Sequence, residues 1–272
     1  MPAGRWDNPA GFLPLRSRLL DLKTGALSPY APERYVATTL PYDYDEHAQA
    51  PAWQRFLETT VPAAAPFLQE FAGYCLTPDV HHELSLWVYG PPASGKSTLL
   101  HGLQTLLGPR SGELSLEDLA GRRLDPAALA GQTLLVSHEP PADPALLRPL
   151  SALVSGEPLS LARPHGLPVT LRLRAKLALA FHTLPSLDAR FASVYRRAAL
   201  VVFPPLPLGA HDPALKDRLA QEGPGLLNWA LAGLRRLYGR GRFDPPATML
   251  AAAQRLRVLV PIFYHQYVHN CL

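Results

Sequence analysis

Eight consecutive residues limit the possible folds of this chain more than any others. Gly90-Pro91-Pro92-Ala93-Ser94-Gly95-Lys96-Ser97 places a glycine, four residues, then Gly-Lys-Ser, with Thr98 continuing the run. Two glycines in such a loop allow backbone dihedrals that a side chain would forbid, so successive N–H groups can turn inward on phosphate oxygens. An apolar run, Leu84 to Tyr89, leads into the loop, and Leu99, Leu100, Leu103, Leu106 and Leu107 follow at helical spacing before Gly108-Pro109. A strand, a glycine loop and a helix in this order aim the helix N-terminus at an anion. In this reading Lys96 offers its ammonium to the β and γ phosphates of ATP, and the Ser97 hydroxyl offers an oxygen to Mg²⁺. Gly90, Pro91, Pro92, Ala93, Ser94, Gly95, Lys96, Ser97 and Thr98 are therefore the candidate nucleotide-binding residues.

The segments after the loop alternate between apolar runs and helix-length connections. Thr133 to Val136 ends at Ser137-His138-Glu139, Leu177 to Phe181 ends at His182, and Ala199 to Phe203 precedes Pro204-Pro205. That alternation predicts a largely parallel sheet, whose ligands sit at the carboxyl ends of its strands. Gly90, Glu139 and His182 fall there. Glu139 is the candidate to polarise an attacking water or hold the metal through its shell, and His182 the candidate to sense the γ-phosphate. His138 occupies the place of a usual companion acid. Tyr195-Arg196-Arg197 precedes the last strand; the pair reads either as surface arginines or as cations offered to a neighbouring subunit's phosphoryl group. Leu159 to Arg174 alternates around Pro164-His165-Gly166 like a hairpin, with Arg163 and His165 near its tip.

Composition narrows the class. The 272 residues are 47% hydrophobic, yet no segment approaches 18 uninterrupted apolar residues, so a soluble globular protein is expected and no membrane span. No basic-then-apolar leader opens the chain, which points to the cytoplasm. Cys75 and Cys271 match neither a metal-ligand spacing nor a disulfide framework. The net charge of +4 is compatible with a polyanionic partner and is weak support for one. Lys23, Lys96, Lys176 and Lys216 are the only lysines among 26 basic residues, and one of them stands in the phosphate loop. No Asn-Lys-x-Asp sequence is present to read guanine, which argues against a GTPase.

Residues 1–75 read as an N-terminal region, turn-rich to residue 50 and then helical from Ala52 to Tyr74 with a prolyl break at Pro62 to Pro66. Residues 76–205 form the P-loop domain. Residues 206–272 read as a helical segment, with an apolar stripe of Leu226, Leu227, Ala230, Leu234 and Leu237. Arg235, Arg236 and Arg240 lie alongside as a solvated face.

Together these segments resemble the superfamily-3 helicase module of phage, plasmid and poxvirus primase-helicases. Leu19 to Gly25 and Phe71-Ala72-Gly73-Tyr74 look like that family's N-terminal collar. The phosphate loop and Leu135-Val136-Ser137-His138-Glu139 resemble its first two motifs, and Val154-Ser155-Gly156-Glu157-Pro158 its third block. Tyr195-Arg196-Arg197 resembles the block carrying an arginine finger, and Gly225 to Ala230 the C-terminal helical block. The resemblance implies an α/β AAA+ ATPase with a parallel sheet, an N-terminal helical collar and a C-terminal helical segment. It also implies a ring, expected to be a homo-hexamer, that moves along single-stranded DNA with Arg163 and His165 on the track and a separate primase as partner. Three residues depart from the family pattern. Ser151 and Ala152 stand where basic residues are usual, and His182 replaces a sensor asparagine. Those departures keep a second reading open, a non-motor ATP-binding accessory or loader protein. A small-molecule kinase would need an acceptor lid that the sequence does not offer.

Overall fold

The computed structural model describes residues 11–31, 36, 38–138, 149–163, 166–184, 192–207 and 212–258. Near-continuous apolar runs become strands buried on both faces, as parallel strands require. The first, β4 (Ser85–Tyr89), is succeeded along the chain by β5 (Ser111–Glu113), β6 (Leu134–His138), β9 (Lys176–Phe181) and β10 (Ala198–Val202). They pair in the order β10-β4-β9-β6-β5, every neighbour parallel. Counting these five in chain order, the sheet runs 5-1-4-3-2, so all five carboxyl ends share one edge.

Alternation along the strands divides the core into two layers. Leu86, Val88, Ala178 and Ala180 face α3 (Lys96–Leu107), the helix that leaves the loop. Trp87, Leu177, Leu179 and Phe181 face the other way, onto α4 (Leu116–Ala120) and α5 (Leu150–Val154). The first layer also contains residues from both ends of the chain: α1 (Pro51–Thr60), α2 (Ala65–Cys75), α7 (Leu215–Ala220) and α8 (Gly223–Arg240). Trp53 of α1 lies on Gly102 of α3, where a methyl group would come within 2.2 Å of the indole.

Two features differ from the sequence reading. Residues 12–28, read as turns, hold a small antiparallel sheet of β1 (Phe12–Pro14), β2 (Leu19–Asp21) and β3 (Leu27–Ser28). Its last turn is closed by the Asp21 carboxylate, which accepts the Lys23 and Thr24 amides at 2.8 and 3.1 Å. Those bonds hold the Asp21 carboxyl below the usual range. The arginines of α8 are also not a purely solvated face. Arg240 and Arg236 reach Glu70 on α2 at 2.6 and 3.4 Å, and the Glu70 side chain is only 4% exposed. Burying that carboxylate is tolerable because both cations arrive with it.

The hairpin and the C-terminal helices agree with the sequence. β7 (Pro158–Arg163) and β8 (Gly166–Arg172) pair antiparallel, with a bulge between Leu161 and Arg163. After α6 (Ala192–Tyr195) and β10 come the helices α7, α8 and α9 (Ala247–Val258). Among the described residues no helix is long and apolar enough to cross a membrane.

The Gly225-to-Ala230 block has a clear structural use: it clamps the N-terminal segment. Asn228 Nδ2 donates to the carbonyls of Asp45 and Ala48 at 2.8 and 2.9 Å, and Trp229 meets Trp53 edge-on at 5.3 Å. Just before the block, Glu222 caps α1, whose own N-cap residue is an alanine. The carboxylate accepts the amides of Ala52 and Trp53 at 2.8 and 3.0 Å. Losing a charged helix cap costs about 1–2 kcal/mol, so Glu222→Ala is expected to lower the urea midpoint accordingly, with Glu222→Gln intermediate. Unchanged midpoints in both variants would refute the capping role.

Candidate functional site

The loop after β4 is shaped by its neighbours. A side chain on Gly90 would meet the Phe203 carbonyl at 2.5 Å, so only glycine fits beside the start of the segment after β10. Ala93 and Gly95 both adopt left-handed backbone, at φ 58° and 99°. Left-handed residues at these two positions turn successive amides toward one concavity, and α3 begins directly after Gly95. Phe56 of α1 packs under the loop, 3.0 Å from where a Gly95 Cβ would lie. The Phe203 ring completes the support, 6.4 Å from that of Phe56.

A small cleft opens above this loop, lined by Ala93, Ser94, Gly95, Lys96, Ser97, His138, Ala180 and His182. Gly90, Pro91, Pro92 and Thr98 flank it on the loop and on α3. Lys96 is 5% exposed, and its ammonium donates to the carbonyls of Gly90 and Pro91, both at 2.7 Å. It also lies 3.0 Å from His182 Nδ1. An ammonium can only donate, so toward Lys96 the His182 Nδ1 is on the accepting side; the same nitrogen lies 3.4 Å from the Gly90 carbonyl oxygen. The Ser94 hydroxyl is buried in the same place with no hydrogen-bond partner among the described residues. A buried, unpartnered hydroxyl beside inward-turned amides and a cation has the chemistry of a cradle for anionic oxygens.

Thus Lys96 and Ser97 meet His182, 86 residues along the chain from Lys96, in one cleft. Glu139 lies outside the described residues. His138, its predecessor, is present in the cleft wall, and its Nε2 is 3.7 Å from Glu113 Oε1 at the end of β5. Sequence reasoning treated His138 only as a substitute for an acid; strand alternation alone did not show that this residue faces the cleft. Phe56 and Phe203 were missed altogether, because a buttress is defined by packing between segments almost 150 residues apart.

Arg196 and Arg197 stand at the other edge of the sheet. They precede β10, whose Ala198 pairs with Ser85 at the start of β4, whereas the loop comes after Tyr89. The length of β4, roughly 15 Å at the strand rise, separates them from the cleft of their own chain. Arg196 is exposed. Arg197 is 13% exposed and tied within the chain: Nε and Nη2 reach Glu83 Oε2 at 2.7 and 2.6 Å, and Nη1 donates to Ser151 Oγ at 3.3 Å. The two arginines that the sequence had grouped thus differ in their surroundings: Arg197 is held to Glu83 and Ser151 of its own chain, and Arg196 is exposed. Arg163 ends β7, but its side chain and His165 lie outside the described residues.

Comparisons with known proteins bear on the fold and on the N-terminal region. Residues 2–62 match a family model described as "D5 N terminal like". No curated protein matches the sequence. Among solved structures, the A form apo structure of the NrS-1 C-terminal region superposes with a TM-score of 0.59 at 11% identity, covering 85% of this chain and 56% of that one. The apo structure of the NrS-1 C-terminal region 305–718 gives 0.56 at 11% identity, covering 91% and 58%. This chain spans just over half the length of those structures and shares their fold.

Proposed function

We propose that this chain is the ATP-driven motor of a phage- or plasmid-type replication protein, a DNA helicase or translocase that hydrolyses ATP at the subunit interfaces of a ring. The reading rests on one observation. A nearly buried ammonium, Lys96, waits on two loop carbonyls beside the Ser94 hydroxyl, which has no partner among the described residues, at the carboxyl end of β4. The 5-1-4-3-2 order of parallel strands, with the loop after the first, supports an AAA+ arrangement. The D5 N-terminal-like match and the fold shared with the NrS-1 C-terminal region support a replication protein.

Each residue then has a role. The loop amides and the Ser94 hydroxyl surround the triphosphate, and Lys96 exchanges its carbonyl partners for the β and γ oxygens. Ser97 and Glu139 would hold Mg²⁺, which would neutralise charge on the phosphates. Glu139 orients the attacking water. His182, released by Lys96, donates from its ring to the γ-phosphate and so distinguishes ATP from ADP. Arg196 reaches the nucleotide of the adjacent subunit in a homo-hexamer, and single-stranded DNA passes the hairpin carrying Arg163 and His165.

The second reading, a non-motor ATP-binding accessory or loader, is favoured by one specific observation. Ser151, standing where a DNA-gripping basic residue is expected, is engaged by Arg197 of its own chain. Turnover separates the two readings. A motor built on shared sites hydrolyses ATP faster per subunit as protein concentration rises, and faster again with single-stranded DNA. Rates flat in both variables, with nucleotide still bound, would replace the motor with the accessory protein.

A further inference from the structure

Arg197 connects three elements that the proposed motor must move together. Its backbone belongs to the segment entering β10: the Arg197 amide donates to Val194 at 3.1 Å, and its carbonyl accepts the Ser85 amide at 2.8 Å and the Ser85 hydroxyl at 3.1 Å. Its guanidinium grips Glu83, just before β4, where Glu83 itself holds left-handed backbone at φ 47°. A non-glycine residue held there carries strain of about 1 kcal/mol or more, which persists only where surrounding structure imposes it. The third connection, to Ser151 Oγ, reaches α5.

The hairpin comes directly after α5. The helix ends at Val154, Gly156 turns at φ 63°, and the Glu157 amide donates back to the Ala152 carbonyl at 2.9 Å before β7 begins. A side chain on Gly156 would meet Val80 at 2.8 Å, so the turn is fixed against the segment that also carries Glu83. Leu150, Leu153 and Val154 pack in the same apolar layer as Val194 and Ala198. A displacement of α5 therefore carries the base of the hairpin with it, since close-packed layers do not stretch.

We propose that Arg197 is a positioning residue that couples Arg196 to the hairpin. In this scheme Arg196 engages the neighbouring subunit's triphosphate, and the Arg197–Ser151 bond passes the resulting shift to α5 and on to β7 and β8. The proposal rests on the functional reading above and adds to it a route from one subunit's nucleotide to the next subunit's hairpin. It also gives Ser151 a use: at this position a hydroxyl accepts from a guanidinium, which a lysine or arginine would repel.

The test is hydrogen exchange at the hairpin amides, 158–163 and 166–172, in the full chain with single-stranded DNA and a non-hydrolysable ATP analogue. A wild-type chain is expected to show exchange slowed about tenfold on adding the analogue, the size of an ordinary coupling free energy. Ser151→Ala is expected to lose that response while keeping its thermal midpoint and its basal hydrolysis, since Ser151 touches neither cleft nor substrate. Ser151→Thr, which retains the hydroxyl, is expected to keep it, and Arg196→Ala to lose it. A hairpin that ignores the analogue in the wild-type chain, or that responds equally in Ser151→Ala, overturns the coupling. Hydrolysis measured on the same samples with and without DNA reports on the motor reading separately, because loss of DNA stimulation in the wild-type chain alone would sink the function and not the route.

Discussion

Replacing Lys96 with alanine is expected to weaken ATP binding by about ten- to a hundredfold and to reduce turnover by a further 10²-fold or more. The first figure is that of one charge-assisted hydrogen bond at about 1.5–3 kcal/mol, and the second that of a donor strengthening in the transition state. The geometry explains why no neighbour can compensate. The other cleft-lining groups among the described residues are small, hydroxylic or imidazole, and Arg196 and Arg197 are across the sheet. The substitution also leaves the Gly90 and Pro91 carbonyls without the donor that serves them in this structure. A modest fall in thermal midpoint is therefore expected without nucleotide, and loss of the stabilisation that ATP confers with it. Lys96→Arg is not a rescue, because a planar fork does not fit a pocket built for a compact ammonium on a straight stem. Calorimetric titration with a slowly hydrolysed ATP analogue, beside steady-state hydrolysis, measures both effects. Unaltered affinity in the alanine variant would remove the nucleotide site and, with it, the proposed function.

Local chemistry was legible in the sequence, and distant packing was not. The glycine spacing of the loop, the helix after it and its Gly108 terminus could be read directly, since each depends on residues within one turn of one another. Strands β4, β6, β9 and β10 were visible as buried apolar runs. β5 was not: three residues, Ser111-Gly112-Glu113, carry no hydrophobic signal, and they are strand only because β6 offers its edge. The small sheet at residues 12–28 escaped for the same reason, its strands being two or three residues long. Lys176 was counted as an ordinary scarce lysine. It is instead buried, its ammonium donating to the Thr77 carbonyl and lying 4.5 Å from the Tyr74 ring, and burial pushes its pKa down to about 7. That Arg197 is tied to Glu83 and Ser151 while Arg196 beside it is exposed could not be read from adjacent letters, because the partners come from segments far away in the chain.

The largest stability change is expected where α2 and α8 cross. A Cβ on Gly233 would stand 2.1 Å from the Gln69 carbonyl oxygen and 2.3 Å from its carbon, and Gly73 on the facing helix is as tightly placed against Ala230 and Leu234. These are backbone atoms and cannot rotate away, so Gly233→Ala must drive the helices apart by about an ångström. Overpacking of this kind costs about 1–3 kcal/mol or more, against a helix-propensity gain of up to about 1 kcal/mol. Separation would also loosen Glu70 from Arg236 and Arg240, and a buried carboxylate losing its cations adds to the cost. A net loss of about 2–4 kcal/mol is expected in urea unfolding. Gly239 lies in the same helix with nothing within 4 Å of its would-be Cβ, so Gly239→Ala keeps the propensity gain and is expected to stabilise by about 0.5 kcal/mol. Opposite signs from one substitution type in one helix isolate the crossing as the cause. Equal effects in the two variants would show that α2 and α8 do not meet as described.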